Sequence, residues 1–140
     1  MSNINKNNLK QGDVIHVPLL GIARHYGIVI QSETMYQEAI IRTVLWRHSQ
    51  PVNQTLSQFS QGKSVSVVPY QSQYPRWMSA QNALNVSSFA YNVVTNNCEN
   101  FCRRAWGLSD VSHQVLFVGI GLLCGLLYLT ATKKPLPVKL

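Results

Sequence analysis

The sequence predicts an α+β protein in which an antiparallel sheet packs against helices and is followed by a C-terminal transmembrane helix. Three observations support this fold class. Short segments rich in β-branched residues fill the first half of the chain, a short amphipathic helix with a cysteine in its first turn follows, and an apolar stretch runs close to the C-terminus. Because 140 residues make about one domain, we expect a single folded domain ahead of the apolar stretch.

The predicted strands lie mainly in the first half. Segments of alternating apolar residues separated by short polar or Pro/Gly loops are typical of hairpins. A Gln/Ser-rich stretch between two of these segments is expected to hold a turn of helix around Leu56 and Phe59. A further helix is expected to start near Pro75 and to run to Leu84. The strand candidates are residues 13–17, 25–30, 34–40, 43–46, 64–68 and 89–94.

A helix that ends at Gly107 is predicted to carry Cys98 in its first turn. Asn96 can cap this helix, and Glu99 can close a capping box with it. Cys98 then lies beside free N–H groups at the positive end of the helix dipole, where a thiolate is stabilised. The alternative is that Cys98 is only a small buried apolar residue. One face of the helix carries Cys98, Phe101, Cys102 and Ala105.

Residues 111–132 predict a transmembrane helix. No charged residue occurs between Asp110 and Lys133, and a helix needs about 20 residues to cross a hydrocarbon core of about 30 Å. The alternative is a buried core helix. We expect a tail anchor that leaves a domain of residues 10–110 in the cytosol, with a disordered segment at 1–9 and a basic tail at 133–140. The spacing of Gly121 and Gly125 would allow two such helices to form a homodimer.

Composition narrows the classes of partner and cofactor. The net charge of +7 comes from scattered residues, so nucleic-acid binding is not expected, whereas an anionic phospholipid surface suits this charge. Three cysteines do not make a disulfide framework, which indicates a reducing compartment. No zinc-ligand spacing such as C-x-x-C or H-E-x-x-H occurs, so we expect neither a metal nor a cofactor.

His25 stands at the start of a strongly apolar predicted strand. For a lone histidine, a partly exposed residue at a strand end is the alternative. Together with Cys98 it supplies the Cys/His pair that thiol acyl transfer requires. Gln37, twelve residues on and in the next predicted strand, is expected beside His25 as the residue that orients the imidazole. His16 and His48 are the alternatives to Gln37 in this role.

An ordered set of motifs resembles a known family. The chain looks like the phospholipase A and acyltransferase family, the HRAS-like suppressors, which are relatives of lecithin:retinol acyltransferase and of bacterial papain-like cell-wall peptidases. The similarity runs from about Lys10 to Ala131. The motifs are Lys10-Gln11-Gly12-Asp13-Val14-Ile15, then Arg24-His25-Tyr26, then Tyr91 ahead of Asn97-Cys98-Glu99-Asn100-Phe101, then an apolar segment after Ser109-Asp110.

The resemblance implies a permuted papain-like (NlpC-type) fold and a cytosol-facing enzyme held on a membrane by its tail. It further implies phospholipase A1/A2 activity on glycerophospholipids through a thioester on Cys98. The acyl group would pass to water, to an amine such as that of phosphatidylethanolamine, or to a lysophospholipid. Two positions depart from the family pattern, since Gln37 and Asn100 each stand where the family commonly has histidine.

Two other functions fit the same residues. The first is a catalytically weak membrane-remodelling or partner-interaction protein that keeps the fold, and Gln37 is the main argument for it. The second is a cysteine peptidase or amidase, which the bacterial relatives suggest. The predicted membrane anchor argues against this second alternative.

Overall fold

The computed structural model describes residues 8–93 and 96–131. These residues form one antiparallel sheet with the strand order β4-β3-β2-β1-β5, together with four helices. The predicted α+β class with an antiparallel sheet is therefore confirmed. In chain order the elements are β1 (Val14–Pro18), β2 (Arg24–Gln31), β3 (Ile40–Thr43), β4 (Val52–Thr55), α1 (Leu56–Ser60), β5 (Ser66–Val67), α2 (Arg76–Leu84), α3 (Cys98–Ala105) and α4 (His113–Ala131).

Strand alternation sorts the core into two clusters, one on each face of the sheet. Val14 and Ile28 are paired across β1 and β2 and pack with the apolar residues of α3, so we call this side the α3 face. Ile15 and Val29 point the other way and pack with Phe59 of α1, so we call that side the α1 face. Residues that are adjacent in a strand therefore have different surroundings.

The hairpin between β2 and β3 differs from the prediction. The sequence predicts a strand over 34–40, whereas Thr34 and Gln37 form only an isolated bridge and β3 starts at Ile40. Within this turn the Thr34 N–H donates to the Gln37 carbonyl oxygen at 2.9 Å. β3 ends at Thr43, short of the predicted strand over 43–46. Gln37 consequently lies in the hairpin turn and not in a strand.

One strand was missed by the prediction, and one predicted strand is absent from the described residues. β4 was not predicted, because its sequence Val-Asn-Gln-Thr lacks apolar alternation, and it pairs with β3 alone at the edge of the sheet. Residues 89–93 form no strand, although Asn92 and Asn96 share an isolated bridge; residue 94 of that prediction lies outside the described residues. The helix around Leu56, the helix ending at Leu84 and the stop at Gly107, which has φ of 72°, are confirmed.

α4 extends from the domain as a helix with no buried residue. It is long and apolar enough to cross a membrane, by length and composition, as predicted. The homodimer through Gly121 and Gly125 stays a prediction. Leu9, assigned from sequence to a disordered segment, is buried in the cluster on the α1 face, while residues 1–7 and 132–140 lie outside the described residues.

Candidate active site

Cys98 is the first residue of α3, and the cap of this helix is one residue later than predicted. Asn97 is the N-cap, with its side-chain oxygen accepting from the N–H groups of Glu99 at 3.0 Å and Asn100 at 3.2 Å. Asn100 completes the capping box by accepting from the Asn97 N–H at 3.0 Å. The predicted cap at Asn96 with Glu99 is therefore wrong. The buried side chains of Asn97 and Asn100 accept hydrogen bonds from the free N–H groups at the helix start, so the Glu99 carboxylate is not needed there.

The thiol of Cys98 is buried against the start of β2. The Tyr26 N–H donates to Sγ at 3.4 Å. Burial, together with the nearby Cys98 thiol, raises the pKa of Tyr91 to about 12. Burial raises the pKa of Cys98, although the N–H groups of Tyr26, Glu99 and Cys98 itself act in the opposite direction. In the described state the thiol is thus protonated at neutral pH, in contrast to the stabilised thiolate expected from sequence.

The imidazole of His25 lies on the α1 face of the sheet. It stacks on Phe59 with 4.9 Å between ring centroids, while Cys98 belongs to the cluster on the α3 face. No hydrogen bond joins the two within the described part of the chain. Sγ nevertheless lies within about 6 Å of the His25 Cα, because only two backbone bonds separate that atom from the Tyr26 nitrogen.

Thr43 fixes the tautomer of His25. The Thr43 hydroxyl donates to the Tyr26 carbonyl oxygen at 2.7 Å. The hydroxyl oxygen of Thr43 also lies 3.4 Å from His25 Nε2. A hydroxyl has a single proton, so towards His25 it can only accept. Nε2 therefore carries the ring hydrogen and Nδ1 is the free basic nitrogen.

The imidazole of His25 is neutral at neutral pH. Burial, together with the charge of Lys63, lowers the pKa of His25 to about 4. A neutral ring can accept a proton from a thiol, so His25 retains the capacity to act as a general base.

Gln37 lies at the other end of β2 from His25. Its Oε1 accepts a hydrogen bond from Gln31 Nε2 at 3.3 Å. Gln31 is the last residue of β2 and His25 is the second, which separates them by about 20 Å at 3.3 Å per residue. The structure does not bring Gln37 to His25, and Thr43 occupies the place that the sequence assigned to it.

His16 is a second histidine near Cys98. It is paired with Tyr26 across β1 and β2, with 5.2 Å between the rings, and so lies on the α3 face. Burial and the charge of Arg24 lower the pKa of His16, while Glu99 raises it. The sequence named His16 only as a substitute for Gln37, although strand alternation from Val14 indicates its face. His48 is exposed in the loop after β3.

Glu99, the residue after the candidate nucleophile, binds the start of α4. Its buried carboxylate accepts from the Ser112 hydroxyl at 2.7 Å, the His113 N–H at 3.0 Å and the Gln114 N–H at 3.3 Å. The Gln114 side chain in turn accepts from the Arg24 N–H at 2.7 Å. The first turn of α4 is therefore attached both to the cysteine helix and to the strand that carries His25.

The thiol does not open into the cleft beside α3. That cleft has a volume of about 240 Å³, and its lining, which includes Phe89, Phe101 and Arg104, contains neither Cys98 nor His25. Among the residues that the structure describes, no group of three or more His, Cys, Asp or Glu side chains could hold a metal ion. Cys98 itself is only 4% exposed, so its thiol is covered in the described state.

Comparison with known proteins places these residues in a family. Neither a curated protein nor a solved structure matches the chain. Residues 7–106, which include both His25 and Cys98, match the family model of lecithin retinol acyltransferase. Because this match covers most of the chain, the protein belongs to the lecithin retinol acyltransferase family.

Proposed function

We propose that this protein is a membrane-anchored thiol phospholipase A1/A2 and acyltransferase that acts on glycerophospholipids through a thioester on Cys98. Family membership supports acyl-transfer chemistry. The proposal rests above all on Glu99, whose hydrogen bonds attach the residue beside the nucleophile to the start of a helix that is able to cross a membrane. In this proposal the domain faces the cytosol and has the permuted papain-like arrangement, with the histidine strand ahead of the cysteine helix.

The position of the thiol suits an ester in a bilayer. Arg24 contacts the first turn of α4 through Gln114, and the thiol is held by Tyr26, two residues further along the strand. Two residues of a strand span about 7 Å. An acyl ester near the headgroup layer would therefore move only a short distance to reach Cys98, and anchoring would raise its effective concentration.

The proposed reaction is a thiol acyl transfer with His25 as base and acid. The Cys98 thiol gives its proton to His25 Nδ1 as sulfur attacks the ester carbonyl, and the lysophospholipid oxygen then leaves with that proton. Water, an amine such as that of phosphatidylethanolamine, or a lysophospholipid attacks the thioester, and His25 returns the acceptor's proton to the thiol. The Cys98 N–H, which has no acceptor within its helix, donates to the oxyanion, and one such donor contributes roughly 3 kcal/mol.

Substrate binding must bring the ring and the thiol into contact. Both groups are neutral in the described state and lie on opposite faces of the sheet, so the backbone that carries His25 and Tyr26 must change before they can meet. We place the change at the start of β2, where the ladder with β3 stops at Ile28 and leaves His25 and Tyr26 without strand partners on that side.

Replacement of the nucleophile tests this proposal. Cys98→Ala in the full chain is expected to abolish release of fatty acid from phosphatidylcholine vesicles, with products identified by mass. Cys124→Ala, which removes an exposed thiol in α4, should retain activity and serves as the matched control. Undiminished release by a folded Cys98→Ala protein, as judged by circular dichroism, would exclude the enzyme.

A catalytically weak membrane-remodelling or partner-interaction protein is the second candidate. The buried, protonated thiol and the absence of a His25–Cys98 hydrogen bond among the described residues favour it. Intact-mass measurement after incubation with phospholipid vesicles separates the two functions. An enzyme acquires one acyl group, removable by hydroxylamine and absent in Cys98→Ala, whereas an inert protein keeps its original mass.

A further inference from the structure

We propose that two loops at one end of the sheet form a lipid-binding surface that enters the same bilayer interface as α4. The inference rests on the proposed membrane anchor and adds a second contact with the membrane. We call it the loop surface. It consists of Leu19, Leu20 and Ile22 in the β1–β2 loop and Trp46 in the β3–β4 loop, with Arg24 and Arg47 at its margin.

The β1–β2 loop presents apolar side chains on an ordered turn. Leu20 is 88% exposed and Ile22 is 66% exposed. The turn is held by hydrogen bonds from the Leu19 N–H to the Ala23 carbonyl oxygen at 2.9 Å and from the Ala23 N–H to the Leu20 carbonyl oxygen at 3.0 Å. Contiguous apolar side chains on an ordered loop mark an interaction site, because their transfer out of water is favourable.

The β3–β4 loop lies at the same end of the sheet. β1 ends at Pro18 and β3 ends at Thr43, and both strands run antiparallel to β2, which starts at Arg24. Trp46 is exposed, and the guanidinium carbon of Arg47 lies 4.9 Å from the centre of its ring. Tryptophan and arginine side chains together are typical of the layer between headgroups and hydrocarbon.

The apolar stretch leaves little chain between the domain and the bilayer. Residues 111–132, which carry no Asp, Glu, Lys or Arg, would make a helix about 33 Å long, and the hydrocarbon core is about 30 Å thick. The bilayer core must then begin in the first turn of α4, where Gln114 accepts from the Arg24 N–H at 2.7 Å. The base of the β1–β2 loop thus lies at headgroup level, and lipid is the nearest apolar phase for the loop surface.

The opposite end of the sheet provides an internal control. Met35 is 88% exposed, the same fraction as Leu20. It lies in the hairpin after β2, however, at the end of that strand away from Arg24 and α4. Apolar exposure alone predicts equal behaviour for the two positions, whereas the loop surface predicts lipid contact only for Leu20.

The test places a tryptophan reporter at each position in the full chain. Leu20→Trp and Met35→Trp are made separately in a background of Trp46→Phe and Trp77→Phe. The buried Trp106, whose Nε1–H donates to the Gly12 carbonyl oxygen at 2.8 Å, stays constant in both. Each protein is reconstituted in phosphatidylcholine–phosphatidylserine vesicles, with and without phosphatidylcholine brominated on its acyl chains.

Quenching and a blue shift of the Leu20→Trp reporter by brominated lipid, with no quenching of the Met35→Trp reporter, is the expected result. Equal quenching of both reporters, or quenching of neither, would overturn the loop surface. A blue shift at Leu20→Trp without quenching would mean that a second copy or another protein covers the loop, and would overturn it as well. Flotation after a carbonate wash distinguishes failure of the anchor, since a chain lost from the vesicles contradicts both proposals, whereas a retained but unquenched chain contradicts only this one.

Discussion

The two faces of the sheet hold different halves of the candidate site at the start of β2. On the α3 face, the thiol of Cys98 is buried against the Tyr26 N–H. On the α1 face, the ring of His25 stacks on Phe59 and contacts Thr43. Each half has its own hydrogen-bond partners, and only the contact between them is missing. The difference teaches that the proposed nucleophile and the proposed base are positioned by separate elements, so the proposed reaction requires a local change at this strand.

After loss of the proposed nucleophile, the largest expected effect comes from removing the proposed base. His25→Gln should lower phospholipid cleavage by about 10²- to 10⁴-fold, the usual contribution of a general base. His16→Gln tests whether the histidine on the α3 face acts instead. His48→Gln, in an exposed loop, is the control. A larger loss in His16→Gln than in His25→Gln would assign the base to the face that already holds the thiol.

The second prediction concerns stability against pH. The pKa of His25 is lowered to about 4 in the folded protein, while an unfolded histidine has about 6.5. Between these values the unfolded state binds a proton that the folded state does not, so stability should fall as pH decreases from about 7 to about 4, by roughly 3 kcal/mol. Below pH 4 this contribution should change no further.

Denaturant unfolding of the full chain in detergent at pH 7 and pH 4.5 measures this effect. The His25→Gln variant should reduce the dependence of the free energy of unfolding on pH, and the His48→Gln variant should leave this dependence unchanged. His16, whose pKa is also lowered, leaves a residual slope of the same sign in the His25→Gln protein. An unchanged slope in His25→Gln would show that the ring is not held neutral against Phe59.

The third prediction concerns the residue that orients the base. Thr43→Val preserves volume but removes the acceptor for His25 Nε2, so kcat should fall by roughly tenfold, about the net contribution of one hydrogen bond. Thr43→Ser should restore most of the rate and the wild-type pH profile, because it keeps the hydroxyl. A purely structural role would instead lower the stability of Thr43→Val with no change in the pH dependence of kcat.

The smallest effect is expected at Gln37. The family pattern places a histidine there, but the structure puts Gln37 against Gln31 in the exposed hairpin. Gln37→His should therefore leave turnover within about twofold of the wild type, since surface substitutions usually have small effects. A clear rise in turnover, measured on the same vesicles, would mean that the hairpin shifts along β2 during catalysis and brings this position to His25.

The cysteine helix α3 and the apolar helix α4 were both predicted from the sequence because each has a strong local signal. Apolar spacing, an amide cap and Gly107 mark α3, and an uncharged apolar stretch marks α4. The cap was misplaced by one residue because three asparagines lie within two residues of Cys98, and more than one of these amides can serve as cap or partner.

The partner of His25 could not be read from spacing alone. Counting twelve residues across an assumed tight hairpin pointed to Gln37, but the turn lies at Thr34–Gln37, and Ile28 pairs with Arg42. That register brings Thr43, and not Gln37, towards the start of β2. The face of His25 was also beyond local reasoning, because it depends on α1 and α3 packing on opposite sides of one strand.

Glu99 receives three hydrogen bonds, one from Ser112 and two from the first turn of α4, and in the proposed enzyme they would couple bilayer thickness to the reaction. A membrane helix adjusts to a thinner or thicker bilayer by tilting, and α4 cannot tilt without either carrying the Glu99 carboxylate along or breaking these bonds. Glu99 lies in the first turn of α3, directly after the nucleophile. Bilayer thickness would then change the position of the Cys98 sulfur, so lipids would affect the proposed reaction through thickness as well as by serving as substrates.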